Sequence, residues 1–371
     1  MKKIAVVGAG NGGCLTALHY GFHSQYDEDI EVELLYDPNV PSERVGQGTV
    51  ADVPKLLDAA IGFNWYDNPI HATNKTGILY EGFGKENEKV FHNFFTNNMA
   101  LHYCPWEMQE VVLQSGWFKV TKRNVDPQDV DADYVFDSRG RPDDFSDYNE
   151  LVNPTNACIL AKPNWNTTEA LWSRHVSTPD GWAFVIPTVE SSPSRDGSVG
   201  YCYNSDITSQ EDATKNLLKI FDVEVTKYVK YKNYMAKNPV IDGRIFLQGN
   251  RLSFLEPMES TAVEGYLNWC RYTYDYCINN NRSVEDISYG IKKYIMQLQN
   301  FILWHYQWGS KYNTPFWKYA QRISTIMDDD EFRSMFMLCD DRIKIMEDRR
   351  YGQWGIYNFR NWYQGMTTGK K

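Results

Sequence analysis

The amino-acid sequence predicts an α/β fold in which a doubly wound, Rossmann-like sheet module is interleaved with a largely helical module. Three observations lead to this class. A β-branched run at residues 3–7 leads directly into a glycine-rich turn and a helical pattern. A second apolar strand at residues 32–36 ends at an acid. The length of 371 residues exceeds the size at which a single core usually stops growing, so two modules are expected.

The first strand, glycine turn and helix have the arrangement of a dinucleotide-binding fingerprint. The strand Lys3–Val7 is followed by the sequence GAGNGG at residues 8–13. In this arrangement Gly8 permits the tight turn, Gly10 lets the backbone approach a pyrophosphate, and Gly13 lets helix and strand pack closely. The N-terminus of the helix then faces the phosphates.

The second strand, Val32–Tyr36, ends at Asp37, which is placed to accept a hydrogen bond from a ribose hydroxyl. This order of elements predicts dinucleotide binding, and the alternative is a glycine-rich turn without a ligand. Residues 131–137 are predicted to form a further strand and residues 245–250 a strand running into a turn, with the carboxyl ends of both strands facing the same crevice. A long helix is predicted from Ser283, with Asp286 completing a capping box and an apolar stripe facing the core.

The composition excludes several classes of protein. It is 42% hydrophobic and 23% charged, and no run approaches the roughly 18 apolar residues of a transmembrane helix. The net charge of −10 argues against nucleic acid as a partner, because phosphate binding needs a basic surface. Seven cysteines without a CxxC pair disfavour a metal site and a disulfide framework, so we expect no metal and a cytoplasmic location.

The segment at residues 249–262 holds the most informative acids. Backbone N–H groups at the helix start predicted near Val263 would form an anion pocket suited to a halide, and Glu259 just before it could act as a base. The alternative is an ordinary helix cap with a solvated acid.

Several motifs in chain order resemble those of the flavin-dependent halogenases of the tryptophan-halogenase type. The resemblance extends through most of the chain. The segments that carry it are GAGNGG at 8–13, RVGQGT at 44–49, NKTGI at 74–78, FHNF at 91–94, GWAFVIP at 181–187, GYCYNS at 200–205, FLEPMEST at 254–261, HY at 305–306 and NTPFW at 313–317.

Four positions depart from the family pattern. Cys14 and Phe184 stand where the family commonly has Trp, and Gln47 stands in place of Glu. Ala262 stands in place of Gly, which would strain the halide site by about 1–2 kcal/mol if this position needed a positive φ. The resemblance implies that the segment around Trp182 keeps the substrate away from the flavin and so blocks direct oxygenation. Because Phe184 has less bulk than an indole, this block is expected to be looser here.

The resemblance implies a reaction divided between two sites joined by an internal tunnel. Reduced FAD, oxygen and a halide (chloride, bromide or iodide) would generate hypohalous acid, which is relayed to Lys75 and Glu259 for electrophilic halogenation of an electron-rich aromatic substrate. Lys75 would hold and activate the oxidant, and Glu259 would polarise it or take the ring proton. Ser260, Thr261 and Ala262 would bind the halide. An isolated lysine is ordinarily solvated, and that is the alternative for Lys75.

The resemblance also assigns binding residues and modules. The expected FAD-binding residues are Gly8, Gly10, Asn11, Gly12, Gly13, Asp37, Arg44, Gln47, Gly48, Thr49, Trp182, Ile186, Pro187, Asn250 and Leu255. The expected substrate-binding residues are His92, Phe94, Trp354 and Trp362. The FAD-binding module is expected over residues 1–70, 95–140 and 240–262, and the substrate-binding module over 71–94, 141–239 and 263–371.

The expected partners are a separate flavin reductase and a small aromatic substrate. The chain is shorter than typical tryptophan-specific members, which favours a phenol, an indole or another arene larger than free tryptophan. Its compact, aromatic-rich character is similar to that of phage-encoded members. No membrane partner is expected, and a homo-oligomer remains open. The alternatives are a flavin-dependent aromatic monooxygenase, or a flavin-binding protein without turnover.

Overall fold

The computed structural model describes residues 1–26, 29–42, 44–49, 52–84, 89–93, 100–189 and 197–325. Within these residues the strands are β1 Lys2–Val7, β2 Ile30–Tyr36, β3 Gln47–Gly48, β4 Thr73–Lys75, β5 Gly77–Glu81, β6 Lys89–Asn93, β7 Ala100–Tyr103, β8 Lys119–Lys122, β9 Tyr134–Asp137, β10 Tyr148–Glu150, β11 Ala157–Pro163, β12 Ser173–Thr178, β13 Gly181–Ile186, β14 Ser198–Tyr203, β15 Val223–Lys230, β16 Tyr234–Ala236, β17 Val240–Ile241, β18 Ile245–Leu247 and β19 Ser253–Phe254. The α-helices are α1 Asn11–Ser24, α2 Asp52–Ile61, α3 Pro105–Leu113, α4 Gln210–Ile220, α5 Thr261–Cys277, α6 Val284–Gln307 and α7 Pro315–Ile323. Short 3₁₀ helices cover Pro127–Asp129, Gly249–Arg251 and Met258–Ser260.

The chain divides into two compact units. Unit 1 consists of Met1–Asn74, Met99–Leu151 and Asn233–Ile295. Unit 2 consists of Lys75–Asn98, Val152–Lys232 and Met296–Lys371.

Unit 1 is built on a six-stranded sheet in the order β17-β18-β9-β1-β2-β8. All neighbouring pairs from β18 to β8 are parallel, and only β17 pairs antiparallel to its neighbour. The central strand β1 is apolar and buried from Ile4 to Val7, as expected for a strand covered on both faces. This sheet confirms the predicted α/β class with a Rossmann-like module.

Of two further strands predicted for this sheet, one is shorter than expected and the other is as expected. The strand predicted at residues 131–137 begins at Tyr134, because the Asp133 carboxylate accepts a hydrogen bond from the Lys3 backbone N–H at 2.7 Å and lies at the edge of the ladder. The segment 245–250, predicted as a strand running into a turn, is confirmed: the strand covers Ile245–Leu247 and the turn follows. The Gln248 side chain accepts a hydrogen bond of 2.8 Å from the Gly249 N–H, which starts a 3₁₀ turn.

Helix α1 lies in the centre of unit 1 and is buried from Gly12 to Gly21. It packs on α5, where the Tyr20 hydroxyl donates to Thr273 Oγ1 at 2.8 Å. No side chain caps its N-terminus at Gly10. The backbone donors of its first turn are therefore left for another partner.

Unit 1 also contains two small sheets. The strands β10, β16 and β19 form one antiparallel sheet, and β3, β7 and β4 form the other.

In its described residues, unit 2 has more strands than expected of a largely helical module. Its described part contains a seven-stranded sheet in the order β15-β11-β14-β13-β12-β5-β6, antiparallel except for the β12–β5 pair. Strands β13 and β14 are buried on both faces along nearly their whole length. Such strands lack the alternation of apolar and polar residues that marks a half-buried strand, which explains why the sequence pattern did not reveal them.

Helix α6 has the predicted start. The hydroxyl of Ser283 accepts from the Asp286 N–H at 3.1 Å, and the Asp286 carboxylate accepts from the Ser283 N–H at 3.1 Å. This reciprocal pair is the capping box expected from the sequence. The predicted apolar stripe is buried at Ile287, Ile291, Tyr294, Ile295, Leu298, Phe301 and Ile302.

Candidate functional site

A cavity of about 310 Å³ opens at the carboxyl edge of the unit 1 sheet. It begins at the carboxyl ends of β1, β2 and β9, where its lining includes Val7, Tyr36 and Ser138, the residue after β9. This is the crevice in which doubly wound sheets bind their ligands. The remaining lining residues are Gly8, Ala9, Gly10, Asn11, Gly12, Asp37, Val40, Pro41, Ser42, Pro105, Gln109, Arg123, Asn124, Val125, Arg139, Gly140, Gly249, Asn250 and Tyr266.

The glycine-rich turn has three positions with different requirements. Gly8 has φ 108°, and a Cβ there would lie 2.5 Å from the Ser138 carbonyl oxygen. A Cβ on Gly13 would lie 1.9 Å from the Gly8 carbonyl oxygen, so helix and strand pack at backbone distance. A Cβ on Gly10 would meet no atom within 4 Å. Glycine at 8 and 13 therefore closes the turn, whereas the backbone at Gly10 is open to the cavity.

Unsatisfied polar atoms line the same cavity. Asn11 Oδ1 and Ser138 Oγ are buried and have no hydrogen-bond partner among the described residues. Buried polar atoms without partners are uncommon in folded proteins, and where they line a cavity they are suited to hydrogen bonds with a ligand or with water. Together with the uncapped N-terminus of α1, they fit the phosphates and hydroxyls of a dinucleotide such as FAD.

Asp37 lies at the end of β2, where the sequence placed it. Its Oδ1 accepts hydrogen bonds of 2.9 Å from the Asn39 backbone N–H and from Asn39 Nδ2. These bonds hold the carboxylate at the cavity wall, at the position of the ribose-binding acid in this type of sheet.

Sequence reasoning missed the wall formed by Arg139 and its neighbours. Arg139 lines the cavity and is held by Asp137, with Nε donating to Oδ1 at 2.9 Å and Nη2 donating to Oδ2 at 2.9 Å. The hydrogen bonds to Asp137 raise the pKa of Arg139, so it stays charged. The available signal was its position just after the carboxyl end of a parallel strand.

The structure brings only part of the expected FAD-binding set to this cavity. Gly8, Gly10, Asn11, Gly12, Asp37 and Asn250 line it. Within unit 1, Gly13 lies behind the turn, and Arg44, Gln47, Gly48, Thr49 and Leu255 are not among its lining residues. Trp182, Ile186 and Pro187 belong to unit 2.

The segment at residues 44–49 is anchored beside β7. Strand β3 pairs with it through Gln47–Tyr103 and Gly48–His102. Thr49 is buried and exchanges two hydrogen bonds with Leu101, of 2.7 and 2.9 Å. The Arg44 guanidinium lies 4.8 Å from the centre of the Trp106 ring.

The segment before α5 has an unusual backbone. Glu259 has φ 66° and Ser260 has φ 56°, and each left-handed non-glycine residue costs on the order of 1–3 kcal/mol. Glu259 is completely buried, so the alternative of a solvated acid is wrong. The left-handed residues of this segment are thus the two before the helix. Ala262 lies inside α5 and has no positive φ, so the backbone strain considered for an alanine at this position is absent.

Helix α5 begins at Thr261, two residues before the predicted start near Val263. The two left-handed residues, Glu259 and Ser260, directly precede Thr261, so the helix starts earlier than the pattern of side chains indicates. The side chain of the N-cap residue, Ser260, makes no capping hydrogen bond. Ser260, Thr261 and Ala262 therefore surround first-turn N–H groups that are suited to an anion.

Two of the expected site residues, Lys75 for catalysis and His92 for substrate binding, belong to unit 2. Lys75 ends β4 and has 1% of its surface exposed, so the alternative of a solvated lysine is wrong. His92 is also 1% exposed and pairs in register with Ile78. A Cβ on Gly77 would lie 2.4 Å from the His92 carbonyl oxygen, which explains the glycine in the NKTGI segment. Phe94, Trp354 and Trp362 lie outside the described residues.

Trp182 lies in the middle of the unit 2 sheet and is completely buried. Its ring centre is 4.7 Å from that of His175, and its Nε1 has no hydrogen-bond partner among the described residues. The altered position, Phe184, pairs with Gly200, where a Cβ would lie 2.0 Å from the Phe184 ring. Gly200 thus leaves the space that the Phe184 ring fills. Ile186 ends the strand and Pro187 follows it.

Two properties of the described residues bear on other classes of protein. No described helix is both long and apolar enough to cross a membrane. Nor do the described residues contain a group of three or more His, Cys, Asp and Glu side chains that could hold a metal ion.

Comparison with known proteins gives one family. The sequence model of the tryptophan halogenase family matches residues 3–134 and 143–370. Comparison with curated proteins finds no match.

The structure is similar to several solved halogenases. MibH, a lathipeptide tryptophan 5-halogenase, has a TM-score of 0.81 and 15% identity over 99% of this chain and 86% of that chain. A tryptophan halogenase from Shewanella frigidimarina has a TM-score of 0.79 and 15% identity over 99% and 89% of the two chains. BrvH, a flavin-dependent halogenase from Brevundimonas sp. BAL3, has a TM-score of 0.77 and 14% identity over 99% and 89%. At these identities the likeness shows a shared fold.

Proposed function

The chain belongs to the tryptophan halogenase family, and from this premise we propose that it halogenates an electron-rich aromatic substrate at Lys75 and Glu259. As a member of this family it is a flavin-dependent halogenating enzyme. The observation that carries the assignment of the two residues is their burial, with 1% of Lys75 and 0% of Glu259 exposed. Charged side chains are rarely buried without a functional or paired role.

Flavin-dependent halogenation implies FAD and a halide. We assign FAD to the unit 1 cavity, with the backbone N–H groups of Gly8–Gly13 directed to its phosphates, and the buried Asn11 Oδ1 and the Asp37 carboxylate accepting from its hydroxyl groups. When bound in reduced form, FAD supplies the electrons by which oxygen and halide are converted to hypohalous acid. The flavin module is taken as residues 1–70, 95–140 and 240–262, and Arg44, Gln47–Thr49, Trp182, Ile186, Pro187 and Leu255 as further contacts to the cofactor.

Lys75 is proposed to activate hypohalous acid. A buried ammonium offers three hydrogen-bond donors in a low-dielectric environment, where a bond to the oxygen of the oxidant is stronger than in water. This bond draws electron density away from the halogen, which becomes the electrophile. As the ring attacks the halogen, the halogen–oxygen bond breaks and the oxygen leaves as water after receiving a proton.

Glu259 is proposed as the base of the second half of the reaction. Attack on the halogen leaves a cationic ring with a proton on the halogenated carbon, and a buried carboxylate can stabilise that charge and take that proton. Its left-handed backbone supports this role, because strained residues persist where the surrounding structure needs a side chain in one place.

The halide site is proposed at the start of α5. Ser260, Thr261 and Ala262 surround first-turn N–H groups that the side chain of Ser260 does not cap, and the helix dipole favours an anion there. The proposed site adjoins Glu259 in the chain, so halide binding and the proposed base would share one segment.

The substrate is proposed to be a phenol, an indole or another arene larger than free tryptophan. His92 is buried beside β5 and can stack against an aromatic ring, with Phe94, Trp354 and Trp362 as further proposed walls. A substrate larger than the amino acid is consistent with MibH, whose name assigns it to a lathipeptide. Flavin-dependent halogenases generally use a separate flavin reductase, and we propose the same partner and a cytoplasmic location here.

Mass spectrometry of an aromatic panel tests the function. The protein is incubated with a flavin reductase, NADH, FAD and chloride, bromide or iodide. Products heavier by one halogen, dependent on halide, are expected. Hydroxylated products independent of halide would instead make the protein an aromatic monooxygenase, for which the smaller Phe184 is the specific observation. No product with any panel member would point to flavin binding without turnover.

A further inference from the structure

One side chain joins two walls of the unit 1 cavity. Gln109 of α3 donates a hydrogen bond of 2.6 Å from Nε2 to the carbonyl oxygen of Ala9, in the glycine-rich turn. Its Oε1 accepts a hydrogen bond from the Ser42 hydroxyl, in the segment that follows Asp37. Ala9, Ser42 and Gln109 all line the cavity. The amide therefore ties the turn that would face the phosphates to the wall that carries the ribose-binding acid.

Only an amide can make this bridge. One end must donate to a carbonyl and the other must accept from a hydroxyl, and glutamine has both groups at fixed separation. A glutamate would place an acceptor against the Ala9 carbonyl, and a methionine of similar length would make neither bond.

The bond to Ala9 also acts on the next residue. The carbonyl of Ala9 and the N–H of Gly10 belong to one planar peptide unit and point in opposite directions. The Ala9 oxygen accepts a second hydrogen bond, from Cys14 Sγ at 3.2 Å. Two donors therefore fix the plane of this peptide and, with it, the direction of the Gly10 N–H.

We propose that Gln109 is a positioning residue of the cofactor site: it orients the Ala9–Gly10 peptide for a phosphate oxygen and holds the Ser42 segment at the distance the dinucleotide needs. The inference rests on the proposed FAD site. Gln109 would act on residues that line the cofactor cavity, Ala9 and Ser42, and not on the reacting atoms. Its loss is expected to weaken cofactor binding while the chemistry continues at saturation.

A double-mutant cycle on FAD binding tests the proposal. The apoprotein of Gln109→Met, Ser42→Ala and the double variant is titrated with FAD, and Kd is read from the quenching of flavin fluorescence. Gln109→Met is expected to raise Kd about 10-fold and Ser42→Ala about 3-fold, the usual range for lost hydrogen bonds. The double variant is expected to match Gln109→Met, because both bonds run through one amide. Gln114→Met, an exposed change at the end of the same helix, is the control and keeps the wild-type Kd.

Steady-state kinetics separate positioning from a general loss of structure. In Gln109→Met the KM for reduced FAD is expected to rise in proportion to Kd, with kcat unchanged and the melting temperature of the apoprotein close to that of Gln114→Met. A wild-type Kd in Gln109→Met, additive effects in the cycle, or a fall in kcat at saturating cofactor would overturn the proposal.

Gly10→Val distinguishes failure of this inference from failure of the cofactor site itself. Gly10 has φ −69° and ψ −178°, which valine adopts readily, and a Cβ there meets nothing within 4 Å. The variant should fold and lose FAD binding. If it binds FAD as the wild type does, the proposed site is wrong. If it loses FAD while Gln109→Met binds normally, the site stands and only the positioning role is wrong.

Discussion

Glu259 and Ser260 are consecutive residues with positive φ, 66° and 56°, and the helix α5 begins at the next residue. The departure from the family pattern at Ala262 lies one residue further on, inside the helix. The backbone strain of the proposed halide-binding segment therefore lies at the two residues before α5, the first of which, Glu259, is the proposed base.

This location predicts opposite effects of two glycine substitutions. Ala262→Gly is expected to lower the free energy of unfolding by about 1 kcal/mol, because it places glycine inside a helix. Ser260→Gly is expected to raise it by about 1 kcal/mol, because glycine adopts a positive φ without a steric cost. Urea denaturation of both variants measures the difference. A gain in stability from Ala262→Gly would contradict the backbone geometry.

Lys75→Met is expected to lower kcat for halogenation by at least about 10³-fold, because it removes the buried ammonium and keeps the length of the side chain. FAD binding, measured by fluorescence quenching, should stay within about 2-fold of the wild type. Lys89→Met, an exposed change on β6, is the matched control and keeps full activity. Halogenation at the wild-type rate in Lys75→Met would remove Lys75 from the mechanism.

Glu259→Gln is expected to lower kcat by about 10²-fold or more, because the amide cannot take the ring proton. The substitution keeps the shape of the side chain and should not change halide-independent oxidation of reduced FAD. The two rates, halogenated product by mass spectrometry and flavin oxidation by absorbance, are measured in the same samples. Equal losses in both would show that Glu259 acts before the halogen reaches the substrate.

The glycine-rich turn predicts a second pair of contrasting variants. Gly13→Ala is expected to destabilise the protein by about 3 kcal/mol or more, because its Cβ would lie 1.9 Å from the Gly8 carbonyl oxygen. Gly10→Ala meets no atom within 4 Å and should leave the melting temperature of the apoprotein unchanged. Differential scanning calorimetry of the apoproteins distinguishes the two. Equal melting temperatures would show that the turn does not pack as described.

Glu264 predicts a dependence of stability on pH. It is buried on α5, and its Oε1 lies 3.6 Å from the Arg271 guanidinium, which also binds Asp52 at 2.7 Å. Burial and the charge of Asp52 raise the pKa of Glu264 to about 8. The folded protein thus keeps a proton that the unfolded chain loses above its ordinary pKa of 4.5. Stability contributed by Glu264 therefore falls as the pH rises from about 5 to about 8.

Glu264→Gln should remove this dependence. The free energy of unfolding of the variant relative to the wild type is expected to rise by on the order of 2 kcal/mol between about pH 5 and pH 8, and to level off above. Glu110→Gln, an exposed change on α3, is the control and should show no such trend. A difference between Glu264→Gln and the wild type that is constant across this range would place the proton elsewhere.

The sequence by itself determined the N-terminal strand, glycine turn, helix and acid, and the capping box at Ser283. Each depends on the dihedral preferences and the spacing of a few residues that are close together in the sequence. The ordered motifs were likewise sufficient to indicate the family, because a motif is a property of the chain before it folds.

The tertiary structure alone decided the burial of Lys75 and Glu259, the left-handed backbone before α5 and the seven-stranded sheet of unit 2. It also decided which residues meet at the cavity, adding Gln109 and Arg139 to the expected set. Burial and cavity walls arise from residues far apart in the chain, so no local pattern specifies them. A lysine or a glutamate has the same sequence signal in solvent and in a core, and only packing by distant segments gives it a different chemistry.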